Sequence, residues 1–105
     1  MNSSNYKDEF TQLNKIVKSY SINSLKDTLL FANKSRSKLP NLNNIPQYHN
    51  IIGLINFRLN DLENSISDFE KAINLDPNFY DFVSCNIIKK LIVSTLKEQA
   101  GIAQW

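Results

Sequence analysis

The sequence predicts an all-α protein built from paired helices, and three observations carry that prediction. No segment alternates apolar and polar residues long enough to form a strand. Helix punctuation recurs along the chain: Asn5, Ser24, Pro46, Asp61 and Asn78 stand where helices open, and Asn60, Pro77 and Gly101 where they end. Gly53 lies inside an otherwise helical apolar run, Ile51 to Leu59, where it costs about 1 kcal/mol relative to Ala. A partner helix packing directly against the bare backbone offsets that cost.

Taken in order, Asn5 with Asp8 opens a helix to about Tyr20, and Ser24 with Asp27 forms a capping-box pattern for the next, to about Ser37. A loop rich in Asn, Leu42-Asn43-Asn44, follows and is closed by Pro46, which begins the third helix. Asn60-Asp61 breaks the pattern and caps a fourth, Leu62 to Leu75, which Pro77 cannot continue. The intervening turn is only a few residues long and forces the third and fourth helices antiparallel. Ser65 and Ala72 are small, as close approach to Gly53 requires, and Phe69 is placed to fill the groove between them. Asn78 with Asp81 starts a fifth helix running to about Gln99.

The set Gly53, Asp61, Leu62, Ser65, Phe69, Ala72, Leu75 and Pro77, at these spacings, resembles a tetratricopeptide repeat over about residues 45–78. The family places a large aromatic and a Tyr where this chain has His49 and Asn56. Tyr48 and Phe57, each one residue away, are positioned to supply that bulk. A degenerate copy over about residues 6–41 appears on a shift of 37, which sets Pro40-Asn41 on Pro77-Asn78, Leu25 on Leu62, Thr28 on Ser65 and Leu29 on Ile66. In it Ile16 takes the place of Gly53, and Ala32 and Ser35 those of Phe69 and Ala72. The resemblance implies a short α-solenoid of stacked antiparallel helix pairs in one domain, 1–105: a degenerate repeat over 5–41, a clear one over 46–77 and a capping helix over 78–100.

Composition agrees. At 105 residues the chain holds one core, and no apolar run is long enough to span a bilayer. The polar stretch Met1 to Phe10 has no apolar signal core, and a lone Cys85 suits a reducing compartment, so a cytoplasmic location is expected. Net charge is +2, with seven Lys or Arg against three acids in Met1 to Pro40 and five against seven beyond. The cluster Lys34, Arg36, Lys38 suits a helix carboxyl end, where each cation offsets the dipole by about 0.3–1 kcal/mol. As a phosphate contact it lacks interleaved aromatics, so nucleic acid is not expected as a partner.

Little material exists for catalysis. One His49 and one Cys85 cannot build a zinc site of four side chains, and no Gly-rich phosphate loop exists. His49 reads as a partly exposed first-turn residue and Cys85 as a small core residue; Asp61, Glu63, Asp68, Glu70 and Asp76 read as a solvated helix face. No enzyme activity, cofactor or metal is expected.

The resemblance implies instead a non-catalytic adaptor or scaffold whose first helices line a groove for a protein or peptide. The groove positions of the clear repeat are Gln47, Asn50, Leu54, Phe57 and Arg58. Gln47 and Asn50 would hydrogen-bond a peptide backbone, and Arg58 would meet a carboxylate. Leu54 and Phe57 would form an apolar floor or pack on the neighbouring pair. In the fifth helix, Phe82, Cys85, Ile88, Ile92, Val93 and Leu96 form a broad apolar face for capping. A second stripe, Val83, Ile87 and Leu91, is left for a partner or a second copy of the chain. Two alternatives differ in class: an accessory or targeting segment resembling those that precede the catalytic domains of some bacterial transferases, and a weak nucleic-acid binder using the basic first half.

Overall fold

The computed structural model describes residues 6–78 together with Lys90 and Val93. Among them lie α1 (Lys7–Ile22), α2 (Leu25–Lys38), a short 3-10 helix (Pro40–Asn44), α3 (Pro46–Arg58) and α4 (Leu62–Leu75), with no strand. The fifth helix expected from Asn78, with Val83, Ile87 and Leu91, lies outside the described residues. Lys90 and Val93 have helical backbone, and Val93, expected on the capping face, is instead 51% exposed.

Local chemistry sets most boundaries. Ser24 Oγ accepts the Asp27 N–H at 3.1 Å and starts α2. Pro46 sits in the first turn of α3, where its missing N–H costs nothing. Asn60 takes a left-handed φ of 66°, which Asn tolerates, and turns the Asp61 N–H back onto the Asn56 carbonyl at 2.8 Å. Asp61 then caps α4 by accepting from the Asn64 backbone and side-chain amides. Helix α1 follows Tyr6, which makes no side-chain cap, and ends at Ile22; Asn5, expected to open it, lies outside the described residues. One expectation needs correction. The Asn-rich loop is part of the 3-10 helix, and Leu42 within it is fully buried, so an apolar plug stands where a loop was expected.

Helices α1 and α2 are antiparallel, since partner numbers fall as others rise, Gln12 with Ser35 and Ser19 with Thr28. The tight turn at Asn60 reverses the chain between α3 and α4, which are tied by Gly53 with Ser65 and Asn56 with Asp68. The tightest packing among the described helices is α3 on α4. Helices α2 and α4 are equal in length, and the shift of 37 lays the buried Thr28, Ala32 and Ser35 on the buried Ser65, Phe69 and Ala72. Bulk is exchanged across the pair. Gly53 faces Phe69 in the second, and Ile16 stands with Ala32 in the first. Leu13, Ile16 and Ala32 join Leu42, Ile45, Tyr48, Ile51, Ile52 and Ile55 in one core, and the Tyr48 hydroxyl donates to the Ala32 carbonyl at 3.1 Å. Tyr48 thus supplies the expected aromatic bulk. Phe57 stays half-buried while Asn56 beside it is buried.

Candidate interaction surface

The α3–α4 pair is held by contacts from one face of α3. Ser65 Oγ donates to the Gly53 carbonyl at 2.8 Å in a buried bond, and Phe69 covers the α-carbon of Gly53. One turn along, Asn56 Nδ2 donates to Asp68 Oδ2 at 2.8 Å. Gly53 and Asn56 therefore face α4. The groove set Gln47, Asn50, Leu54, Phe57 and Arg58 occupies other positions on α3: Gln47 and Arg58 are exposed, and Asn50, Leu54 and Phe57 half-buried. Leu54 also packs against the core.

Helix α1 also exposes large apolar side chains. Phe10 and Val17, seven residues apart and so on one helical face, are 45% and 44% exposed. The guanidinium of Arg58 lies 5.6 Å from the centre of the Tyr20 ring, and its Nη1 donates to the Tyr20 hydroxyl at 3.5 Å. That contact joins the carboxyl ends of α1 and α3. Arg58, expected to await a carboxylate, thus stands on an aromatic ring that orients it, with other donors on its exposed fork. The reading of the sequence did not single out Phe10 and Val17, which a shift of 37 aligns with Gln47 and Leu54.

His49 is a correction. It is only 5% exposed, its Nε2–H donates to the Asn43 carbonyl at 2.8 Å, and its ring meets Tyr48 edge-on. The 3-10 helix brings that carbonyl over the first turn of α3, which no local pattern foretells. The basic cluster divides. Lys34 and Lys38 line a cavity between α1 and α2, whereas the charge of Arg36 acts on Tyr48 and Asp68. Burial raises the Tyr48 phenol above its ordinary value, and Arg36 opposes the rise.

Asp68 carries a testable pH dependence. Burial raises its carboxyl above the ordinary value, while the Asn56 amide and the charges of Lys71, His49 and Arg36 oppose the rise. A carboxyl raised in the folded state holds its proton more tightly there than in the unfolded chain. Its contribution therefore favours folding below the ordinary carboxylate value and declines as pH rises through that value to the raised one. Asp68→Asn keeps an acceptor for Asn56, so it is expected to be more stable than the native chain at neutral pH and to lose that decline. Urea unfolding across the acid range checks this, and parallel stability curves for the two proteins would refute it.

Residues 46–79 match the family tetratricopeptide repeat. The segment comprising α3, the Asn60 turn and α4 is a repeat of that family, and such repeats are in general protein–protein interaction modules. The chain matches no curated protein and no solved structure. Among the described residues no helix is long and apolar enough to cross a membrane, and no group of three or more His, Cys, Asp or Glu is arranged to hold a metal ion.

Proposed function

We propose that this protein is a non-catalytic adaptor that holds an extended segment of a partner protein along the face shared by α1 and α3. The observation that supports it most directly is the pair Phe10 and Val17, large apolar side chains left exposed beside a helix whose own groove positions include Leu54 and Phe57. Such a stripe gains free energy when covered, at about 25 cal/mol per Å² of apolar area. Polar ends frame it. Gln47 and Asn50 are the groove positions for a peptide backbone, and Arg58, steadied by Tyr20, supplies a fork for a carboxylate. On this reading α1 and α2 form a degenerate repeat stacked on the clear one, and the groove runs across both.

A peptide selected from a random display library against the full chain provides the probe. Phe10→Glu with Val17→Glu is expected to weaken its binding about tenfold or more, and Arg58→Ala about fivefold, both with unchanged helix content. Equal affinity for the native chain and the Phe10, Val17 variant would remove α1 from the groove.

A further inference from the structure

The outer side of the first helix pair carries a second surface, separate from the α1–α3 face. Two adjoining cavities of about 440 and 390 Å³ open between α1 and α2 and share Lys15 and Phe31. They form one groove along the pair. Its α1 wall recurs at spacings of three and four from Asp8 to Ile22, and its α2 wall likewise from Asp27 to Lys38, so each wall is a single helical face. Phe10 and Val17 belong to neither wall. The base is closed by side-chain hydrogen bonds, Gln12 Nε2 to Ser35 Oγ at 2.8 Å and Ser35 Oγ to the Phe31 carbonyl at 2.8 Å. The half-buried Phe31 lies where the two cavities meet.

Charge sets the character of this groove. Lys15, Lys18, Lys34 and Lys38 line it, against Asp8 and Asp27. The shift of 37 lays Lys15 and Lys18 on Ile52 and Ile55, which belong to the shared core. The helix face that is dry and apolar in α3 is therefore cationic in α1. A neighbour as apolar as the one α3 receives would bury two ammonium groups without partners, which is strongly unfavourable. The occupant must bring carboxylates.

We infer that this groove binds an acidic amphipathic helix of a partner protein, its carboxylates meeting Lys15, Lys34 and Lys38 and an apolar residue seated on Phe31. The sixteen residues of α1 give the groove a length of about 24 Å, room for about four helical turns.

A labelled helical peptide of about eighteen residues, with Leu along one face and Glu flanking it, is the probe. Fluorescence anisotropy with the full chain is expected to show saturable binding. The variant Lys15→Glu, Lys34→Glu, Lys38→Glu should weaken it about tenfold or more with unchanged circular dichroism. Phe31→Gln should also weaken it, while Arg58→Ala and Phe10→Glu leave it unchanged, which separates this surface from the α1–α3 groove. Four results would overturn the proposal. The peptide with Gln for Glu binds equally well; a scrambled acidic peptide binds equally well, reducing the groove to a general polyanion site; the charge-reversed variant keeps native affinity; or the chain forms dimers that charge reversal abolishes, which assigns the groove to a second copy.

Discussion

Gly53→Val is expected to lower folding stability by about 3 kcal/mol, enough to unfold much of the protein at moderate temperature. A Cβ at position 53 would lie 2.8 Å from Phe69 Cε1, 2.9 Å from Cδ1 and 3.0 Å from Cζ, well inside the usual carbon contact of about 3.5–4.0 Å. The ring cannot swing aside, because Phe69 is almost fully buried and α4 is pinned there by Ser65 on the Gly53 carbonyl. Gly53→Ala pits two effects against each other. Alanine gains about 1 kcal/mol of helix propensity, and overpacking costs about 1–3 kcal/mol, so a net loss of about 1 kcal/mol is expected. Valine adds two methyl groups to the same clash and forgoes most of the propensity gain. Urea unfolding measures both, and Phe69→Leu should restore part of the loss in the Gly53→Ala background. Native stability in Gly53→Ala, or strict additivity with Phe69→Leu, would contradict the close approach.

Tyr48→Ala is expected to cost about 3–5 kcal/mol, because it empties a site at the junction of the two helix pairs. Tyr48 is among the largest fully buried side chains, and its hydroxyl reaches the α2 backbone at Ala32. Tyr48→Phe, which keeps the ring and removes that bond, is expected to cost only about 1 kcal/mol. The truncation should also broaden the unfolding transition, since α3–α4 would lose its hold on α1–α2 while its own contacts at Gly53 and Asn56 remain. Equal losses for Tyr48→Phe and Tyr48→Ala would place the energy in the hydrogen bond rather than in the packing.

The residues that were legible share a property: their signal is carried within a turn or two of chain or by a fixed spacing. Ser24 and Asp61 accept from N–H groups three residues on, and Pro46 suits a first helical turn by its own missing N–H, so the starts of α2, α3 and α4 follow from local chemistry. Gly53, Ser65 and Phe69 lie on two helices joined by a tight turn, so their meeting was readable as well. Leu42 was not. A lone apolar residue among asparagines has no periodicity to mark it, and only the 3-10 winding from Pro40 turns it into the core. His49 failed for the same reason, since its partner at Asn43 depends on how that winding ends against α3.

The chain's own order of caps, breakers and small residues was enough to specify helices, their pairing and one repeat of known family, because each of those acts over a few residues or along one helical face. How α1 stands beside α3 is different. The Arg58 fork on the Tyr20 ring, the exposed Phe10 and Val17, and the lysine-lined groove between α1 and α2 all join residues that no short spacing connects. Their placement follows from packing the two pairs into one core, where the fit of Tyr48, Leu42 and Ile55 decides which helix faces remain for partners.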